Sequence, residues 1–271
     1  MGRAKEIIIK VIPARIANAF VRAHHYSGKV VNNSSLHFGA FLDGRLHGVL
    51  QYGPSMDKSK VLPLVEGTGW NEALELNRMA FDDYLPRNSE SFCIGKTLRM
   101  IKKQAPHIKW VISFADGAQC GDGTIYRASN FVLTGIKPNK AIYLFPSGDR
   151  IASMTITANY DNPAMRRQSA FLGIPHKYRA VGEWIKLGAK PIPGFQLRYI
   201  YFLDKRCKEK LTVPILPFSE IDRMNAGMYK GENIAQAERH AILTDGQKPR
   251  HKDAGKTNTE PNEEITEKNG K

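Results

Sequence analysis

Apolar and polar positions along the first 160 residues switch repeatedly between a two-residue and a helical period. Residues 6–12 read as a short strand, and Pro13 suits the first turn of a helix running from residue 14 to about residue 24. Residues 36–42 and 46–52 are two apolar runs joined around Asp43-Gly44, a dipeptide that signals a tight hairpin. Residues 74–81 form a further strand candidate. A helix follows over about 90–104, with Phe92, Ile94, Leu98 and Ile101 as its apolar positions and Arg99, Lys102 and Lys103 toward its end. That basic end complements the helix dipole, and Ser89 and Ser91 are its cap candidates. Residues 110–114 are an almost unbroken apolar run, the pattern of a strand buried on both faces, and they end in Ala115-Asp116-Gly117. A short helix over 124–130 and strands over 131–135 and 141–145 come next. Ser147-Gly148-Asp149 is a turn, residues 151–156 lead out of it, and the alternating aromatics of 195–202 are at least partly strand core.

Strand, helix, hairpin, strand, helix, strand, helix, strand is the element order of the acyl-CoA N-acyltransferase (GNAT) fold. The expected class is therefore α/β (α+β), with a mixed central sheet flanked by helices. A catalytic domain is expected over residues 1–218, a transitional segment with one helix near 233–243 over 219–245, and a tail over 246–271. The tail is rich in Lys, Glu, Asn, Thr, Gly and Pro, with six basic and five acidic residues. It lacks the apolar surface needed to offset its ordering entropy, so disorder is expected there.

Composition narrows the function. The 271 residues are 42% hydrophobic, which excludes global disorder, and no stretch approaches the roughly 18–20 apolar residues of a membrane span. Ile7-Ile8-Ile9 is too short an apolar core for a signal peptide. Cys93, Cys120 and Cys207 contain no CxxC pair and are odd in number, so a disulfide framework is not expected and a cytoplasmic location fits. The 40 Lys and Arg against 26 Asp and Glu leave a net charge of +14. Half of it sits in residues 161–210, which carry eleven basic and four acidic residues, among them Arg166, Arg167, Lys177 and Arg179. Phe171, Tyr178 and Trp184 are interleaved with them. Phosphate neutralisation beside aromatic surfaces suits a nucleic-acid strand, and a solvated basic face over an ordinary aromatic core is the other reading.

Three further places carry candidate chemistry. His24-His25-Tyr26-Ser27-Gly28 sits at the predicted end of the first helix; it is either a reactive cluster or a helix C-terminus with a glycine cap. Asp116 stands at the carboxyl end of a buried strand, before a glycine-rich loop leading to Tyr126, where ligands of open α/β sheets gather; a turn aspartate before glycine is the plainer alternative. The loop Arg87-Asn88-Ser89-Glu90-Ser91 precedes the long helix, whose first N–H groups suit an anion. It lacks the glycines of the usual CoA loop, and a cap with a strand salt bridge explains it equally well.

Taken together, His24 to Gly28, the hairpin ending Gly48-Val49-Leu50-Gln51-Tyr52-Gly53, the strand Glu75-Leu76-Asn77-Arg78-Met79-Ala80-Phe81, the loop Asn88 to Ser91 and the block Ser113 to Ser129 resemble the Mom family of phage DNA modification proteins over roughly residues 15–200. The resemblance implies a GNAT-like enzyme that modifies adenine N6 in double-stranded DNA with a carbamoylmethyl (acetamido) group, shielding phage DNA from host restriction enzymes in the host cytoplasm. It implies His25, Tyr26, Asp116 and Tyr126 as the reactive or iron-binding group, and Arg78 and Ser91, with Arg87 and Ser89 beside them, in acetyl-CoA binding. The alternative expectation is an acetyl-CoA-dependent N-acyltransferase for a small-molecule or protein amine.

Overall fold

The computed structural model describes residues 3–25, 27–117, 121–158, 162–229, 232–234 and 238. Tyr26, Cys120, the tail over 246–271 and nearly all of the helix expected near 233–243 lie outside the described residues. In chain order the core elements are β1 (Ile8–Val11), α1 (Ala14–His24), β2 (Leu36–Leu42), β3 (Arg45–Gly53), α2 (Lys58–Val61), β4 (Ala73–Phe81), α3 (Ser89–Gln104), β5 (Trp110–Asp116), α4 (Thr124–Ala128) and β6 (Val132–Pro138). An insert follows: β7 (Ile142–Leu144), β8 (Arg150–Ala152), α5 (Ser153–Thr157), α6 (Pro163–Phe171), α7 (Val181–Lys186) and β9 (Lys190–Pro191). The chain then returns to the main sheet as β10 (Phe195–Phe202) and continues through α8 (Ser219–Arg223).

Among the described residues the main sheet has seven strands in the order β1-β2-β3-β4-β5-β10-β6. This is the mixed central sheet expected from the element order. Its pairs are antiparallel except β4 with β5, the two strands that α3 connects. Asp43 and Gly44 take positive φ values of 51° and 78°, the conformation of a two-residue hairpin turn whose twist matches its strands. The β4–β5 pairing covers only Ala73–Glu75 against Trp110–Ile112, yet both strands run on, to Phe81 and Asp116. Past Glu75 they part. On the other side of β4, register shifts so that Gln51 pairs with Arg78 and Tyr52 with Leu76, leaving Asn77 as an extra residue. Such a bulge bends its strand and re-aims side chains.

The period-2 alternation decides which helix covers which face. Leu50, Tyr52, Leu76, Val111, Ala115, Leu197 and Tyr199 join Ile94, Leu98 and Ile101 of α3 in the principal core. The alternate positions turn the other way. Val49 and Ala80 pack under Ala17 and Val21 of α1, while Ala73, Trp110, Ile112 and Ile200 pack under Val61, Leu64 and Val65 around α2. Burial of each such side chain contributes roughly 1.5–3 kcal/mol relative to exposure. The insert has a small core of its own: Phe145, Ile151, Ile156, Met165, Trp184 and Ala189.

The structure corrects the sequence reading in two places. The α3 N-cap is Asn88 in the left-handed conformation (φ 65°), with no side-chain cap bond, rather than Ser89 or Ser91. Residues 151–156 are not one continuous segment but the end of β8 followed by α5. Residues 195–202, expected to be at least partly strand core, are a central strand lying between β5 and β6.

Candidate active site

The site grows from the way α1 is keyed to the sheet. Gln51 Nε2 donates to Asn18 Oδ1 (2.8 Å) and lies 3.1 Å from His37 Nδ1, a buried polar latch under the helix. Two turns beyond Asn18, and so on the same side of the helix, the chain reaches His25. The helix stops at His24. His25 is already extended (φ −81°, ψ 136°), so it leaves the helix direction at the predicted helix end.

The His25 ring is fixed by its own loop. Ser27 N–H donates to Nδ1 (3.1 Å), and Ser27 Oγ, which accepts from Lys29 N–H, lies 2.8 Å from the same nitrogen. A nitrogen that accepts a backbone N–H carries no proton, so in the neutral ring the proton is assigned to Nε2. Burial, with the positive charge of Arg78 beside it, pulls the His25 pKa down to about 4. The ring is neutral at physiological pH and presents an N–H.

Arg78 comes from β4, on the rung of Gln51. Its Nε donates to the Lys29 carbonyl (3.0 Å) and Nη1 to the Asn77 carbonyl (2.8 Å), which ties the loop after α1 to the strand. Glu75 precedes it on the same sheet face, paired with Ile112 at the last rung before β4 and β5 part. Burial raises the Glu75 pKa, opposed by hydrogen bonding to Ser55 and Asn77 and by Arg78. Asp116 also shows that face, since it alternates with Ala115 of the principal core and pairs with Gln196. Its Oδ2 accepts from Asn139 Nδ2 (2.9 Å).

His25, Glu75, Arg78 and Asp116 therefore share the α1 face. Tyr126 does not. Its ring packs 5.3 Å from Tyr199 and 5.5 Å from Phe131, both in the core on the α3 face. Gly123 permits that approach: its φ is 77°, and a Cβ there would lie 2.5 Å from the Tyr199 ring. Tyr26 lies outside the described residues.

In the loop before α3 the two serine hydroxyls are used within the loop. Ser89 is buried and its hydroxyl donates to the Pro86 carbonyl, while Ser91 Oγ donates to the Asn88 carbonyl (3.2 Å). Arg87 remains exposed. On the α3 face of β5, just past the last β4 rung, Ser113 Oγ is buried without a hydrogen-bond partner among the described residues. An orphaned hydroxyl where two strands part suits a polar ligand entering between them.

The basic segment divides. Arg166 and Arg167 are exposed on α6, and Lys177 is exposed beyond it. Arg179 is 7% exposed; it donates to the Pro175 (2.9 Å) and Lys177 (3.4 Å) carbonyls and covers the Trp184 ring at 5.4 Å. That guanidinium organises the insert and leaves little surface for a phosphate. Sequence reasoning missed Glu75 and Lys29. A lone glutamate within the apolar run Ala73-Leu74-Glu75-Leu76 was a legible signal for the first; nothing marked the second.

Iron finds no support among the described residues, and Tyr26, one of the four expected ligands, lies outside them. Among the described residues no group of three or more His, Cys, Asp or Glu side chains could hold a metal ion. His25 Nδ1 is engaged by Ser27, Nε2 carries the proton, and Tyr126 lies on the other face. Cys93 is buried, its thiol pushed up to about 12 by burial and by Glu90, so it offers no thiolate either. Among the described residues no helix is long and apolar enough to cross a membrane.

Residues 6–220 match the Mom protein family. The chain is 32% identical over 216 residues to the methylcarbamoylase Mom of Escherichia phage Mu, covering 78% of this chain and 82% of that protein. Among solved structures it is similar to an N-acetyltransferase from Staphylococcus aureus Mu50 (TM-score 0.39, 9% identity, 73% of this chain and 98% of that one). It is likewise similar to a GNAT family acetyltransferase from Elizabethkingia anophelis with acetyl-CoA bound (TM-score 0.38, 12% identity, 72% and 97%).

Proposed function

This chain belongs to the Mom protein family, and we propose that it is a phage DNA-modifying transferase that places a carbamoylmethyl group on adenine N6, shielding the DNA from restriction enzymes. The observation that carries the reading is the α1 face: a neutral imidazole N–H, a cation and two carboxylates share it, beside a basic insert.

Adenine N6 is a poor nucleophile because its lone pair is delocalised into the ring, and in duplex DNA it is paired. The enzyme must take the base out of the stack and remove an N6 proton as N6 bonds the methylene carbon of a donor that carries CH2–C(=O)NH2, the bond from that carbon to the donor's leaving group breaking in the same step. Asp116, held by Asn139, is the acceptor for that proton. His25 acts as a hydrogen-bond donor through Nε2, directed at the carbonyl oxygen of the incoming amide group, rather than as a base or metal ligand. Glu75, with its raised pKa, supports the same face as a proton relay.

Acetyl-CoA suits a second reading: transfer from it joins the amine nitrogen to the thioester carbonyl carbon, releases the coenzyme A thiol and gives an acetyl rather than a carbamoylmethyl group. Ser113 and Tyr126 on the α3 face would hold its thioester arm where β4 and β5 part, and Arg87 with the first N–H groups of α3 would hold its phosphates. When bound, it supplies an activated acyl carbon. The parting of β4 and β5 at the Asn77 bulge is also the observation that favours the second reading, an N-acyltransferase for a small-molecule or protein amine.

Expression in a bacterium, followed by mass spectrometry of the digested DNA nucleosides, tests the proposal. A deoxyadenosine adduct with the mass of an added carbamoylmethyl group is expected. Unmodified deoxyadenosine alone, with folded protein present, sinks it, and acetyl transfer to amines with DNA untouched installs the second reading.

A further inference from the structure

The insert is fastened to the core at one charged point. Lys29 Nζ donates to Thr155 Oγ1 of α5 (2.8 Å), while the Lys29 carbonyl accepts Arg78 Nε of β4 (3.0 Å). Asn162 caps α6, its Oδ1 accepting from Ala164 N–H (3.0 Å), and its amide donates to the Thr155 carbonyl. The helix that carries Arg167 is thus pinned to the residue that holds Lys29. Lys29 from the loop after α1, Arg78 from β4 and the helix that carries Arg167 are thereby linked through Thr155 and the Lys29 carbonyl, and Lys29 and Arg167 both remain open to solvent. The linkage has an electrostatic cost: partial burial and the charges of Arg167 and Arg78 together pull the Lys29 pKa below its ordinary value. An oxyanion between them converts that repulsion into charge-assisted hydrogen bonds. Arg78 also adjoins His25, so an anion held here lies next to the reacting face.

We propose that Lys29, Arg78 and Arg167 form a preformed clamp for one backbone phosphate of the DNA strand whose base reaches His25 and Asp116. The assignment rests on the DNA-modification reading. It gives the insert a defined role, which is to complete the clamp from across the site and set the strand's position relative to the imidazole. A phosphate of coenzyme A has the same chemistry, so the test separates the two sources.

The full-length protein is titrated with a fluorescein-labelled duplex between about 50 and 200 mM salt, and the slope of log affinity against log salt is compared among variants. Lys29→Met and Arg167→Gln are each expected to flatten the slope, and the double variant to flatten it further but by no more than about 0.9, the value for one phosphate contact, because all three side chains hold one phosphate. Lys102→Met, an exposed cation on the opposite face, leaves the slope unchanged. Arg167 is exposed on α6, so Arg167→Gln keeps the test valid even if Lys29→Met disturbs the Thr155 bond. Calorimetric titration with coenzyme A is expected to give the same result for wild type and variants. Unchanged DNA slopes overturn the clamp, as does loss of coenzyme A binding with DNA slopes intact. An intact slope shift in a protein that leaves no adenine adduct removes the modification reading while the clamp stands; an adduct with unchanged slopes removes the clamp alone.

Discussion

The two faces of the main sheet are made by the same strands and do opposite work. Toward α3, Leu50, Tyr52, Leu76, Val111 and Tyr199 close a dry core, and even its polar members are turned inward: the Tyr52 hydroxyl meets Thr97 Oγ1 at 2.7 Å. Toward α1, the alternate positions of β3, β4 and β5 become Gln51, Glu75, Arg78 and Asp116 as the strands approach their parting. Apolar Val49, Ala80 and Ile112 on this second face are confined to the patches under α1 and α2. The gap between those two helices is where the charged side chains collect. A pleated strand thus carries stability and chemistry one residue apart, and which helix covers a position decides which it supplies.

The comparison breaks most sharply at Asp116. Asp116→Asn is expected to lower adduct formation at least about 100-fold, read by nucleoside mass spectrometry, with thermal stability close to wild type. The counterpart on the α3 face is Leu98→Ala. It leaves a cavity in the principal core and is expected to cost about 2–5 kcal/mol in denaturant unfolding, with residual activity following the folded fraction. If Asp116→Asn unfolds the chain as Leu98→Ala does, the division between faces fails.

Acidification sharpens the same contrast. The folded pKa of His25, about 4, lies below the ordinary 6.5, so between those values the unfolded chain binds more protons than the folded one. Stability falls as pH drops through that window and levels off below about 4. The loss attributable to His25 is on the order of 2–3 kcal/mol. In a His25→Asn variant the decline between pH 6.5 and 4 should be shallower by that amount; an identical decline removes the buried neutral imidazole.

Arg179→Met tests the insert. Loss of its bonds to the Pro175 and Lys177 carbonyls is expected to destabilise by about 1–2 kcal/mol while the salt slope of DNA binding stays put. A flattened slope would return Arg179 to the phosphate-contacting set. The smallest effect is expected at Ser113. Removing its orphaned hydroxyl with Ser113→Ala should change stability by less than about 1 kcal/mol, and any activity loss should appear in the demand for donor rather than for DNA.

Much of the scaffold was legible in the pattern of residues. The Asp43-Gly44 turn, Pro13 ahead of α1 and the apolar spacing of α3 each act over a few residues, and each element formed within a residue or two of its expected place. Asp116 was legible as a strand end, and His25 as a helix end. What local patterns could not reveal was company. Within the basic stretch of residues 161–210 the aromatics of 195–202 were legible as strand core, but not that Arg198 of that strand bonds Thr134 Oγ1 (3.0 Å) on the neighbouring β6. Tyr126 read as a partner of His25 and Asp116 and belongs to the Tyr199 side of the sheet.

By itself, then, the sequence determined the periods, the turns and the residue types: the alternation of the main strands, the helices α1, α3 and α4 though not those of the insert, an excess of positive charge and a small set of reactive side chains. Those follow from forces acting between near neighbours in the chain. Only the tertiary structure decided that β4 and β5 part after Glu75, that Asp116 and Tyr126 face opposite ways, and that Lys29 reaches both Thr155 of the insert and Arg78 of β4. These depend on register and packing between segments far apart in sequence, where one shifted rung turns a side chain to the other face.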